Sequence, residues 1–411
     1  MHTADFIRSV TSFKAFGAHT RLEEFHWSSF GRSGTTMKAF NEYWTSGQRQ
    51  AHSLHEISYR ACFKPQLPQF FISRLTKPGD AVYDPFMGRG TTPLEAHLLG
   101  RKPIGNDVNP LSLALLEPRL APPTLGEISS RLDLIDLTVA QEQFPGLEVF
   151  FHPDTLKQVI ALKEYLLRRS SAGKLDSVDR WIRMVAINRL TGHSTGFFSV
   201  YSLPPNQAVS IESQRKINLA RNQVPEPKSI TPRILRKSAS LLKDWHGLRA
   251  EHKVLDLQSI LTTQHAHHAI GIPSNAVQLV VTSPPFLDVV DYQADNWMRC
   301  WFLGIDSAAV DITQLRNTTA WQTMMTAVLR DQKRVLKPGG YVAFEVGEVR
   351  GGSLTLEELV LPAGVSAGLE PVLIMVNVQE FTKTANAWGI KNQTKGTNTN
   401  RVVVFEKRIT L

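Results

Sequence analysis

AVYDPFMGRGTTPLEAHLLGRKPIGNDVNP, residues 81–110, decides the fold of this chain. AVYDPF reads as a short strand, and MGRGTT, with Gly88 and Gly90, as a tight glycine turn. PLEAHLLG reads as a helix closed by Gly100, and KPIGNDVNP as a second strand ending in polar residues. Strand, glycine turn, helix and strand make one βαβ unit. Just upstream, PQLPQFFISRLTKPGD (65–80) reads as a short helix stopped at Lys77-Pro78-Gly79. Far downstream the same texture returns. VQLVVTSPPF (277–286) is an apolar strand, a helix carries Trp321, Met325 and Val328, and VLKPGGYVAFEVGEV (335–349), PVLIMVNVQEF (371–381) and RVVVFEK (401–407) are late strands. The pattern predicts an α/β fold whose framework, about 55–118 and 254–411, is split by an insert over 119–253. Residues 1–54, polar and aromatic, are expected as an arm that packs on that body or is partly disordered.

Composition narrows the chemistry. The chain has 411 residues, 42% of them hydrophobic and 20% charged, enough apolar material for a sizeable core. Lys plus Arg is 46 against 37 for Asp plus Glu, and a net charge of +9 favours an anionic partner. Two cysteines, Cys62 and Cys300, exclude a disulfide scaffold and a four-cysteine zinc site, and no metal site is expected. His265, His267 and His268 lie close in sequence, but a metal role needs further ligands. The absence of an apolar run long enough to span a bilayer, and of a signal-peptide pattern at the start, predicts a cytoplasmic protein without a membrane segment.

The glycine turn lacks the Gly-Lys-Ser/Thr of a phosphate loop, and Pro93-Leu94 stand where a dinucleotide fingerprint wants its third glycine. The ligand is therefore not expected to be a polyphosphate. Asp107 ends the next strand, where a carboxylate can accept from both ribose hydroxyls, and Asp84 at the turn can pair with a ligand cation. A nucleoside carrying an amine fits these groups, and S-adenosylmethionine is such a molecule.

Thr282-Ser283-Pro284-Pro285-Phe286 ends the strand VQLVV. Two prolines stop the sheet ladder, remove two donors and stiffen the backbone. A stiff segment rich in acceptors suits a group that donates, such as an amino NH2. Ser283 Oγ can accept one amino hydrogen and a loop carbonyl the other, while Phe286 offers a face on which a base can stack. Both loops should lie at the carboxyl ends of strands in one sheet.

DPFMGRGTT, IGNDVNP and TSPPF together resemble the amino-directed DNA methyltransferases, which modify cytosine N4 or adenine N6. ISYRACFKPQLPQFF resembles the segment before the glycine motif, and VLKPGGYVAFEV and NTNRVVVFEK resemble later strands of that fold. The resemblance implies a Rossmann-like S-adenosylmethionine methyltransferase sheet with an inserted target-recognition region. It implies that Lys64, Pro65, Asp84, Pro85, Phe86, Gly88, Gly90, Thr91, Thr92, Asp107, Asn109 and Asp256 serve the cofactor, and that Ser283, Pro284, Pro285 and Phe286 form the catalytic loop. Ser-Pro-Pro leans toward cytosine N4; adenine N6 and an RNA amino group are the alternatives. Carbon-5 methylation is excluded, because its cysteine nucleophile sits in a Pro-Cys motif and neither cysteine here follows a proline. Duplex DNA is the implied partner, with a companion restriction endonuclease left open. A DNA-binding module with a vestigial cofactor fold is the reading from another class.

The insert is the expected place of target recognition. Between 193 and 253 it is loop-rich and basic, and Arg215, Lys216, Arg221, Lys228 and Arg233 are candidates for phosphate contacts. Asn206, Gln207, Gln214, Asn218, Asn222 and Gln223 are candidates for reading base edges. HSTGFFSVYSLPPNQAVS (193–210) is rich in aromatics and turn residues and is expected to pack against the catalytic face.

Overall fold

The computed structural model describes residues 3–14, 16–29, 32–44, 51–60, 62–141, 144–204, 207–255, 257–285, 287, 292–311, 315, 317–349, 354–378 and 399–409. Its elements in chain order are α1 (Thr3–Thr11), β1 (Arg21–Ser29), β2 (Arg32–Asn41), α2 (Gln66–Leu75), β3 (Ala81–Asp84), α3 (Thr91–Leu98), β4 (Lys102–Asn106), α4 (Leu111–Leu120), α5 (Leu125–Asp133), α6 (Pro153–Ser171), α7 (Ser177–Ile187), α8 (Ile211–Ala220), α9 (Thr231–Leu242), β5 (Ile260–Thr262), β6 (Val277–Thr282), α10 (Tyr292–Leu303), α11 (Thr318–Val335), β7 (Leu336–Val346), β8 (Glu348–Val349), β9 (Leu354–Thr355), α12 (Glu357–Ser366), β10 (Glu370–Val378) and β11 (Thr399–Glu406).

One large sheet runs β1-β2-β10-β11-β7-β6-β3-β4-β5. From β5 to β7 all pairings are parallel, while β11 is antiparallel to both β7 and β10. The parallel part of this Rossmann-like sheet starts at β3, winds outward through β4 and β5, then returns to lay β6 and β7 on the other side. Strand order therefore reverses between β3 and β6, and the loops leaving the two strands open a crevice at their carboxyl ends. The strands facing helices on both sides are continuously apolar, as buried parallel strands are: β3 and β6 expose almost nothing.

The N-terminal segment does pack on this body, and it also adds two strands. β1 and β2 form a hairpin with Arg21 opposite Phe40, and β2 lies parallel to β10 with Lys38 opposite Ile374. α1 buries Phe6 and Val10 in an aromatic cluster with Tyr43, Trp44, Phe70 and Phe71. Between α4 and β5 the insert is helical. Capping boxes start α5 (Thr124 with Glu127) and α7 (Asp176 with Asp179). Its core centres on Trp181, whose Nε1 donates to Ser238 Oγ at 3.0 Å. Among the described residues no helix is long and apolar enough to cross a membrane.

Candidate active site

β3 ends at Asp84, and the chain must turn at once to start α3. Gly90, at φ 78°, makes that turn, and a Cβ there would lie 2.7 Å from Leu116 Cδ1 on α4. Only glycine fits both the left-handed backbone and the close approach. Gly88, at φ 49°, aims its N–H at the end of β4, where it donates to Asp107 Oδ2 at 2.9 Å. Asn109 N donates to Asp107 Oδ1, also at 2.9 Å. The Asp107 carboxylate thus holds the glycine turn against the loop after β4, with one oxygen on each side. It remains half-buried and lines the crevice, so each oxygen keeps acceptor capacity toward a ligand.

The strand end that leads into the Ser-Pro-Pro loop meets the strand end and the helix on either side of the glycine turn. Thr282 Oγ1 donates to Asp84 Oδ1 at 2.6 Å, and Thr92 Oγ1 donates to the Val281 carbonyl at 3.1 Å. Trp321 Nε1 on α11 holds the Pro285 carbonyl at 2.9 Å. Asn400 Nδ2 on β11 donates at 2.8 Å to Oε1 of Glu345, near the end of β7, and the Ser283 hydroxyl lies close enough to favour the charged form of that carboxyl.

Three carboxyls thus gather at these strand ends: Asp84, buried, and Asp107, half-buried, line the crevice, and Glu345 is buried close to Ser283. Burial pushes Asp84 up to about 7, against the opposing hydrogen bonds of Thr282 and Phe86 N; the Asp107 charge adds to the rise. Burial also raises Asp107, offset by its backbone donors. Glu345 is pushed up to about 7 by burial, with Ser283 and Asn400 pulling it back. Titratable groups displaced this far and clustered in a cleft mark a functional site.

Asp84, Pro85, Phe86, Gly88, Thr91, Asp107, Asn109, Ser283 and Pro285 all line the crevice. Gly90, Thr92 and Pro284 stand behind it as structural support. Lys64 and Pro65 are not among its lining residues; Pro65 lines a separate polar groove with His52, Gln69 and Asp244. Asp256 and Phe286 lie outside the described residues.

One crevice wall comes from the segment that the sequence singled out as resembling the stretch before the glycine motif, and other residues around the crevice carried no such signal. Tyr59, Cys62 and Phe63 form one wall. Arg89 holds that wall in place through the carbonyls of His55 and Ile57, at 3.3 and 2.9 Å. Arg119, fully buried, donates to the Arg89 and Leu54 carbonyls. Asn106 joins three loops: its amide donates to the Pro85 and Gln264 carbonyls at 3.2 and 2.8 Å and accepts from Thr262 and Gln264 N. His265 lines the crevice and faces Asp311 at 3.5 Å. Arg60 bridges Asp295 on α10, at 2.9 and 3.0 Å, and Gln207 of the insert at 2.9 Å. These roles depend on chain segments far apart in sequence, and no local spacing announces them.

The basic candidates divide. Arg215, Lys216 and Arg221 are exposed. Lys228 is half-buried with its amine on the Ser199 carbonyl, and Arg233 donates to the carbonyls of Thr195 and Ser229 at 3.0 and 2.7 Å. Of the base-edge candidates, Gln214, Asn218 and Gln223 bond one another and the Tyr201 and Val149 carbonyls. These three are used inside the insert, a correction to the expectation that they read bases. Gln207 is held by Arg60, Asn222 is exposed in a left-handed turn at φ 46°, and Asn206 lies outside the described residues.

The family model described as DNA methylase, for enzymes directed at adenine N6 or cytosine N4, matches residues 18–116, which hold the hairpin, the glycine turn and Asp107. The Type II methyltransferase M.BsoBI of Geobacillus stearothermophilus is 23% identical over 311 residues, 66% of this chain and 57% of that protein. The Type II methyltransferase M.MjaII of Methanocaldococcus jannaschii is 36% identical over 72 residues, 18% of this chain and 13% of that protein. The chain thus spans 57% and 13% of the lengths of these two relatives. Among solved structures, a protein of Thermus thermophilus assigned as a DNA modification methylase, complexed with S-adenosyl-L-methionine, is 20% identical over 36% of this chain and 54% of that chain, with a TM-score of 0.22. TrmN from Thermus thermophilus is 14% identical over 85% of this chain and 50% of that chain, with a TM-score of 0.33. Both scores are low, and the fold rests on the strand order above.

Proposed function

We propose that the chain is an amino-directed DNA methylase, and that it transfers a methyl group from S-adenosylmethionine to an exocyclic amino nitrogen of duplex DNA, cytosine N4 in particular. The observation that carries this is the meeting of the two strand ends from which the loops leave: Thr282 bonds Asp84 at 2.6 Å, and Ser283 and Asp107 line one crevice. The residues present fit the cofactor. Two carboxylates face a ligand that carries a cation and a ribose, Tyr59, Phe63 and Phe86 supply flat apolar walls, and a Cβ on Gly88 would come within 3.4 Å of the Tyr59 ring. Asp84, Phe86, Gly88, Asp107 and Asn109 would hold it.

When bound, the cofactor supplies an electrophilic methyl on a sulfonium sulfur. The chain's task is to present a weak nucleophile, because the lone pair of a base amine is delocalised into the ring. With the Glu345 carboxyl near enough to accept its hydroxyl proton in a hydrogen bond, Ser283 would turn its own lone pairs toward the amine. The loop, pinned at Pro285 by Trp321, offers a carbonyl to the second amino hydrogen. Held this way, the nitrogen points its lone pair at the methyl carbon. The cofactor held by Asp84, Phe86, Gly88, Asp107 and Asn109 would supply the methyl and keep the leaving electron pair on its sulfur, and the amine proton would pass to solvent. Alignment and polarisation carry the rate, without a covalent intermediate on the enzyme. A base inside a duplex cannot reach this crevice, so the target nucleotide must be extruded.

Labelled cofactor tests the reading. Tritium should pass to duplex DNA and not to structured RNA. Label found only in RNA, or in neither, contradicts it.

A further inference from the structure

We propose that the outer face of α8 is the surface that seats duplex DNA, as a helix laid in the major groove. This deepens the reading of the chain as a DNA methyltransferase and rests on it. α8 has two unlike faces. Its inner face is locked: Gln214, buried, donates to the Tyr201 carbonyl at 3.0 Å and to Asn218 at 2.7 Å, and Asn218 donates to the Val149 carbonyl at 2.7 Å. Past the helix end, Gln223 repeats the pattern, donating to Tyr201 O at 3.0 Å and to Asn218 at 2.9 Å. Such a network fixes both the rotation of the helix about its axis and the path of the chain after it.

The outer face is what this anchoring presents. Arg215, Lys216 and Leu219 fall at helical spacing on the exposed side, and Leu219 is 85% exposed. Arg221 follows at the cap, its guanidinium 3.8 Å over the Tyr201 ring, and Val224 beyond it is 78% exposed. Between 211 and 224 there are three cations and a single acid, Glu212. A rigid helix with cations beside an exposed aliphatic side chain matches what the major groove offers: phosphates along the rim and thymine methyls on the floor.

Its placement suits a target near the crevice. Ala208 N donates to the Asp295 carbonyl at 3.3 Å, and Trp297 Nε1 donates to the Val209 carbonyl at 3.2 Å, just before Ser210 caps α8. Asp295 and Trp297 belong to α10, which follows the Ser-Pro-Pro loop in the chain. The segment leading into α8 is thereby fastened to α10.

The test is salt-dependent binding of the full chain to duplex DNA. In the Arg215→Ala/Lys216→Ala double variant, the slope of log affinity against log salt should become shallower by about 1.8, at about 0.9 per lost phosphate contact. Affinity for S-adenosylmethionine by calorimetry should stay at the wild-type value. Arg408→Ala, an exposed cation elsewhere, should leave the slope unchanged. A double variant that binds and methylates DNA with the wild-type salt slope overturns the placement and leaves the methyltransferase reading standing. Wild-type protein that binds no DNA overturns both.

Discussion

The crevice at the ends of β3, β4 and β6 and the helical insert put their polar residues to opposite uses. In the crevice, residues separated by up to 199 positions converge: Asp84, Asp107 and Ser283 all reach one space, because parallel strands place the loops that follow them at the same sheet edge. In the insert, residues close in sequence diverge. Arg215 and Lys216 face outward, while Gln214 between Ser213 and Arg215, and Lys228 a few turns on, point into the packing. Sheet topology fixes where a strand end goes, whereas the rotation of a surface helix is settled by its neighbours.

The largest effect that would sharpen this contrast is in the crevice. Ser283→Ala should lower turnover on the order of 10²–10³-fold, the scale of losing one preorganised polar contact to the reacting group. Cofactor affinity should not change, and undiminished methylation would remove the loop from the active site. Asp107→Ala should weaken cofactor binding about 10–100-fold, since each hydrogen bond to a charged group is worth about 1.5–3 kcal/mol. Calorimetry reads this, and an unchanged dissociation constant would confine Asp107 to holding Gly88 and Asn109.

Gly90→Ala breaks the geometry without touching chemistry. Its left-handed backbone alone should cost about 1–3 kcal/mol, before the clash with Leu116, and thermal unfolding reads the loss. A pH scan gives a smaller and more selective signal. Burial raises Asp84 to about 7, so the folded protein holds a proton that the unfolded chain releases at lower pH. That contribution to stability is present below about pH 4 and is lost as pH rises through about 7. In Asp84→Asn the loss is absent, so its melting temperature should gain on the wild type between those limits; a constant difference would contradict the buried carboxyl. The smallest effect belongs to the insert. Lys228→Ala should lower stability while leaving the salt slope of DNA binding intact, because its amine serves the Ser199 carbonyl.

Much of the fold was legible because parallel strands are apolar throughout and their ends carry punctuation: Asp84-Pro85, the two glycines, Pro284-Pro285. The hairpin β1–β2 was not, since an edge pair half open to solvent carries charged and aromatic residues without a clean apolar run. Within the site, Asp84, Asp107 and Ser283 follow from motif and strand end. Glu345, Asn106, Arg89 and Arg119 do not, because each acts on a segment brought to it only by folding, and an isolated Glu in VAFEV reads as an ordinary strand residue. The Ser283–Glu345 contact is the one of these that bears on chemistry.

Nucleoside mass spectrometry of duplex DNA incubated with the protein and S-adenosylmethionine tests the central claim most directly. N4-methylcytosine is the predicted product, and its formation should fail in Ser283→Ala. A product methylated at carbon 5, or no methylated nucleoside at all, would contradict a site in which the glycine turn and the Ser-Pro-Pro loop act together on an amino group.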